Sequence, residues 1–102
     1  MVIKIMPVDK GSLNGKLADA ELHFTDADGP MEGLRLLGFA IWNQRNGTGR
    51  NVTFPARTYS VNGERRSFSL LRPLHDGHPQ TRVRDLVLQA YADYEAKQAI
   101  AS

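Results

Sequence analysis

Residues 16–25 read KLADAELHFT, and the strict alternation in this stretch decides the fold class. Ala18, Ala20, Leu22 and Phe24 fall on one face, and Asp19, Glu21, His23 and Thr25 on the other. A period of two with one apolar face belongs to a half-buried antiparallel strand. Upstream, Val2 to Val8 mixes β-branched residues around Lys4 and reads as a short strand, ended by turn chemistry between Gly11 and Gly15. Downstream, Asp26-Ala27-Asp28-Gly29-Pro30 reads as a turn. Met31 to Trp42 then reads as a second long strand, whose near-continuous apolar character predicts burial on both faces.

The next segments extend the same pattern. Asn43 to Asn51 reads as a glycine-containing hairpin loop leading into a strand around Val52 to Phe54, which Pro55 ends or marks as an edge. Asn62-Gly63 is the strongest local signal, because a type I′ turn needs positive φ at both central residues. It predicts a tight hairpin joining Thr58–Val61 to Arg66–Leu71, with Phe68 and Leu70 alternating against Ser67 and Ser69. Beyond Pro73 and a polar bend from His75 to Gln80, the period changes to that of a helix. Val83, Leu86, Val87, Ala90, Tyr91 and Tyr94 form one stripe of a helix from Arg82 to about Ala96, packed on the sheet. Its cap is either Thr81, or His78 with Pro79 in the first helical position.

The expected fold is therefore α+β: a twisted antiparallel sheet of about five to six strands with a C-terminal amphipathic helix. A chain of 102 residues, 41% hydrophobic and 24% charged, fits one globular domain over residues 1–97 with a frayed tail over 98–102. The absence of cysteine excludes disulfides, thiolate zinc sites and cysteine nucleophiles. Met1 to Met6 is interrupted by Lys4 and lacks the apolar length of a secretory signal. Residues 33–42 contain Arg35 and are too short to span a bilayer. The expected location is the cytoplasm, with no membrane contact.

Charge is distributed unevenly. Residues 1–34 hold three lysines against six acids, residues 35–84 hold nine arginines against two acids, and residues 85–102 hold one lysine against three acids. A basic middle of this kind attracts a polyanion. The candidate contacts are Arg50 in the loop, Arg57 before the hairpin, Arg65 and Arg66 after its turn, Arg72 at its end, and Arg82 and Arg84 at the helix start. Guanidinium groups hold phosphates bidentately and stack on bases, which suits a nucleic-acid surface. Cations near a helix N-terminus oppose the macrodipole, and an incoming phosphate reverses that penalty. The competing reading is a solvated face with scattered ion pairs. Trp42, Phe54 and Tyr59 are candidates for base stacking, although such residues more often belong to a core.

Catalytic and metal chemistry find little support. His75-Asp76-Gly77-His78 and Asp26-Ala27-Asp28-Gly29 each lack the further ligands that zinc or calcium requires, and both read as ordinary turns. Asn46-Gly47-Thr48-Gly49-Arg50 has no Gly-Lys-Ser/Thr and is not a phosphate-binding P-loop. No serine carries a triad signature. We expect no enzyme activity, cofactor, metal or small-molecule substrate.

Several of these local sequences together resemble the stage V sporulation protein G (SpoVG) family, over nearly the whole chain from Ile3 to about Tyr94. The resemblance rests on Gly15-Lys16 entering a hairpin, Arg35 in the long strand, and the Asn- and Gly-rich loop after it. It continues with Phe54-Pro55-Ala56-Arg57, the Gly63-Glu64 turn, Arg65 or Arg66 beyond it, Pro73 closing the strand, and a helix ending around Ala90, Tyr91 and Tyr94. The chain departs from the family at Ser60 and Val61, where a second Pro is usual, and at Arg72, where a His precedes the closing Pro. The resemblance implies a homodimeric antiparallel sheet with a C-terminal helix and a regulatory role through DNA or RNA binding. The alternative is a protein-interaction module that uses an exposed sheet edge or helix face without nucleic acid.

Overall fold

The computed structural model describes residues 1–8, 15–43 and 49–101. Most of the turn expected between Gly11 and Gly15, most of the hairpin loop expected from Asn43 to Asn51, and Arg45 lie outside the described residues. Among these residues six strands and one α-helix follow in the order β1 (Val2–Pro7), β2 (Lys16–His23), β3 (Arg35–Asn43), β4 (Arg50–Thr53), β5 (Ala56–Val61), β6 (Glu64–Ser69) and α1 (His78–Ala101). All the strand pairs are antiparallel. The α+β reading is correct, but the strands form two sheets, not one: a four-stranded meander β1-β2-β3-β4 and a separate hairpin β5-β6.

The alternation in β2 sets the core of the meander. Ala18, Ala20 and Leu22 are buried, and they face Ile41, Phe39 and Leu36 across β3. Ile5 and Ile3 lie opposite Ala20 and Leu22 in β1, and Val52 lies opposite Ile41 in β4. Helix α1 crosses this face, touching the two edge strands β1 and β4 and closing the cluster with Val87 and Tyr91. Phe54 adds a tilted ring contact with Phe39 at 5.1 Å.

Burial on both faces of the long strand holds only for Phe39, Ala40 and Ile41. Leu34 and Leu37 are exposed, and Met31 belongs to a short 3₁₀ helix, Asp26–Met31, in place of a strand. The reason for the exposure of Leu37 is a bulge. Ala20 pairs with Phe39 while Leu22 pairs with Leu36, so β3 carries one extra residue there. Gly38 takes φ +106° within it, and an added Cβ would stand 3.0 Å from Pro55 Cβ. Pro55 is buried against this glycine and lies between the two sheets, having no N–H to continue the ladder.

The Asn62-Gly63 turn is as read: φ is 52° and 83°, and Val61 pairs with Glu64 across it. The two strands run from Ala56 to Val61 and from Glu64 to Ser69, two residues earlier than expected at each start. Every residue of β5 is exposed, and in β6 only Ser69 is half-buried. The hairpin is thus an arm about 20 Å long at the usual strand rise. It stretches the protein to 50 × 39 × 23 Å with a radius of gyration of 15.3 Å, where a compact chain of this length would have about 13 Å.

The helix differs from the sequence reading in three respects. It starts at His78, not Arg82, and continues to Ala101, through the expected frayed tail. Neither Thr81 nor His78 is its cap. The Gly77 carbonyl accepts the first helical bond from Thr81 N–H, and Asp76 Oδ1 accepts from His78 N–H at 2.9 Å. Finally, Leu86 is 49% exposed while Val87 is fully buried, with Val83, Leu88 and Tyr94 partly buried beside it. The helix is turned toward Leu88 relative to the expected stripe. Among the described residues no helix is long and apolar enough to cross a membrane.

Candidate nucleic-acid interface

Antiparallel register places directly opposed residues on one face of a hairpin. One face of the arm therefore carries the pairs Val61/Glu64, Tyr59/Arg66 and Arg57/Phe68. The other carries Ser60/Arg65, Thr58/Ser67 and Ala56/Ser69. On the first face Tyr59 and Phe68 are diagonal neighbours with ring centroids 5.8 Å apart and planes at 56°. Both rings remain about two-fifths exposed. Arg57 and Arg66 flank them on the opposite diagonal.

The base of the arm is fixed to the helix through a carbonyl. Leu70 N–H donates to Pro55 O at 2.8 Å, closing the hairpin. Leu71 O then accepts from Ser69 Oγ at 3.0 Å and from Gln80 Nε2 at 2.9 Å. These contacts set β6 against the first turn of α1 and leave a cleft lined by Phe54, Ser69, Gly77, Gln80, Thr81 and Arg84. Arg72 lines a neighbouring cleft with Pro73, Leu74, His75, Asp76 and Pro79.

The seven candidate arginines do not share one surface. Arg57 and Arg66 lie together on the arm, and Arg65 lies on its opposite face. Arg82 and Arg84 are two residues apart in a helix, a spacing that points side chains to different sides. Arg50 is engaged elsewhere. Its Nη1 donates to Asn43 Oδ1 at 2.9 Å, its Nη2 pairs with Glu95 Oε2 at 3.0 Å, and its guanidinium lies 5.7 Å from the Tyr91 ring centroid. Glu95 is eleven residues beyond Arg84, about 16 Å along a helix axis, so Arg50 ties β4 to the far half of α1.

Among the described residues the guanidinium groups of Arg57, Arg65, Arg72 and Arg82 have no hydrogen-bonding or ion-pair partner. Arg66 reaches Glu64 at 3.3 Å and Arg84 reaches Asp85 at 3.8 Å, both between exposed side chains. Such pairs contribute at most about 1 kcal/mol and yield easily to a stronger anion. Two acids of the meander are paired within it. Glu21 pairs with His23 and Arg35 on the open face of the sheet, and Asp19 pairs with Lys16.

Among the described residues two groups have displaced pKa values. Hydrogen bonding from Thr25 N–H, and then from the terminal ammonium, holds Asp28 below the ordinary carboxylate value, so this carboxylate serves as the capping group of the 3₁₀ helix. Burial, assisted by Glu95, pushes the Tyr91 phenol up, against the opposing effect of Arg50. Neither group lies on the arm. His75 to His78 forms the capping bend of α1, and no three acids or histidines among the described residues converge as metal ligands.

Of the three aromatic candidates only Tyr59 is available. Phe54 packs on Phe39, and Trp42 is half-buried with Nε1–H donating to Thr53 Oγ1 at 2.9 Å. Phe68 is exposed beside it. Its position was legible in principle, since the register imposed by Asn62-Gly63 puts it directly opposite Arg57. Compared with known proteins, the chain matches no family model, no curated protein and no solved structure.

Proposed function

We propose that the chain is a small nucleic-acid-binding regulatory protein of the SpoVG type that contacts phosphates mainly through its β5-β6 arm. The observation that carries the reading is the placement of Arg57 and Arg66 on one exposed face of a hairpin whose contacts with the rest of the protein lie at its base. An arm of this length serves no core, and its arginines are held by one weak exposed ion pair at most. Arg72 and Arg84 line the clefts at the junction of arm and helix, and with Arg82 in the first turns of α1 they extend the positive field toward the helix.

The working unit is a homodimer formed through strand edges. The outer edges of β1 and β4 have no strand partner in the sheet, and large apolar side chains including Leu34, Leu37, Leu70, Leu74 and Leu86 are exposed. Unpaired edges and exposed apolar groups both favour association. Light scattering at high micromolar concentration tests it, and a purely monomeric species refutes it.

The binding test uses a folded Arg57→Ala, Arg66→Ala, Arg82→Ala variant against single- and double-stranded DNA and RNA. Phosphate contact predicts similar weakening on every sequence and a salt slope smaller by about one unit per lost contact. Parent-like affinity in the variant refutes the surface. If the parent binds none of the nucleic acids at low salt, the same exposed leucines point to a protein-interaction module.

A further inference from the structure

We propose that the face of the arm carrying Arg57, Tyr59, Arg66 and Phe68 is a stacking platform for unpaired bases, so that single-stranded nucleic acid is the preferred ligand over duplex. The proposal rests on the nucleic-acid reading above and assigns that site its substrate class.

Both faces of the arm are exposed along most of their length, with Ser69 half-buried at the base of one, yet their chemistry differs. One holds Ala56, Thr58, Ser60, Ser67, Ser69 and Arg65, the small polar set of a solvated hairpin. The other holds two aromatic rings set between two arginines, with Val61 and Glu64 at the tip. A spacer that only carried arginines away from the core would need no rings. The Tyr59–Phe68 contact stiffens the hairpin, but at 42% and 40% exposure each ring keeps surface beyond the other.

Alternating rings and guanidinium groups match the chemistry of an unpaired strand, which presents flat bases beside a row of phosphates. A duplex hides its base faces in the stack and offers the same arm only phosphates and groove edges. A protein partner fits less well. The centres of protein interfaces are depleted of charge, whereas here Arg57 and Arg66 stand directly opposite the two aromatic residues and Glu64 ends the row. Tyr59 and Phe68 stand outside the buried cluster beneath α1, so neither is needed to fold the sheet.

The test compares three fluorescent probes: an oligothymidylate of about twelve nucleotides, within the usual site size, an abasic strand of the same length, and a duplex. The parent should bind the oligothymidylate about tenfold or more tighter than the abasic strand, as expected for at least one base–aromatic stack. A Tyr59→Leu, Phe68→Leu variant keeps an apolar cross-strand pair and should lose about that factor on the oligothymidylate alone. Tyr59→Phe should bind as the parent does. Circular-dichroism melts of all variants should coincide with the parent's. Equal affinity for the oligothymidylate and the abasic strand, or a double-leucine variant with parent affinity, overturns the stacking platform while leaving phosphate binding intact. Failure of all probes at low salt removes both. A double-leucine variant that becomes monomeric with unchanged nucleic-acid affinity also overturns the platform and assigns this face to a second copy of the chain.

Discussion

Val87 and Leu86 are neighbours in α1, and truncating each should give opposite results. Val87 is fully buried over the sheet, among Phe39, Ile41 and Tyr91 in the core cluster, while Leu86 is 49% exposed. Val87→Ala removes two carbons at about 0.8 kcal/mol each and leaves a cavity in a cluster with few other large side chains. The expected loss is therefore about 2–3 kcal/mol. For a domain of this size that lowers Tm by about 10–20 °C. Leu86→Ala should stay within about 0.5 kcal/mol, as substitutions at exposed sites do. Urea and thermal unfolding followed by circular dichroism read both values. A Leu86→Ala loss equal to that of Val87→Ala, or a Val87→Ala melt that overlays the parent, would refute the placement of the helix on the sheet.

Other consequences follow from single contacts. Gly38→Ala forces a side chain into φ +106° and against Pro55, and should cost about 1–3 kcal/mol in chemical denaturation. Arg50→Ala should lower stability by about 1 kcal/mol through the lost Glu95 pair and Tyr91 contact, while nucleic-acid affinity stays at the parent value. Because burial raises the Tyr91 pKa on folding, its contribution to stability is complete below the ordinary tyrosine range and falls as pH climbs through it. Phenolate absorbance should show one tyrosine titrating late in the folded protein, and Tyr91→Phe should abolish that late step.

The parts of the fold that sequence reveals are those governed by local rules. Alternation from Lys16 to Phe24 places Ala18, Ala20 and Leu22 correctly because one face of β2 is buried and the other solvated. Asn62-Gly63 fixes a register to the residue because few other dipeptides tolerate two positive φ angles. The misplacements come from tertiary choices. Phe68 and Leu70 are both exposed, and alternation alone cannot say whether an apolar face meets a core or solvent. Leu86 belongs to a valid helical stripe that is wider than the surface the helix covers, and the rotation of α1 on the sheet leaves it outside. The helix start was obscured because its capping group, Asp76, acts from two residues before His78, within a bend that also carries Gly77 and Pro79. The arginine set was legible as a composition, whereas its division between two faces of the arm depends on strand pairing.

The arm's role in binding phosphate is tested most directly by the salt dependence of affinity for a labelled single strand. The parent's log affinity should fall linearly with log salt, by about 0.7 per phosphate contact, and Arg57→Ala with Arg66→Ala should flatten that slope by roughly 1.4. A parent that fails to bind at low salt, or a slope that is the same with and without these two arginines, would contradict it.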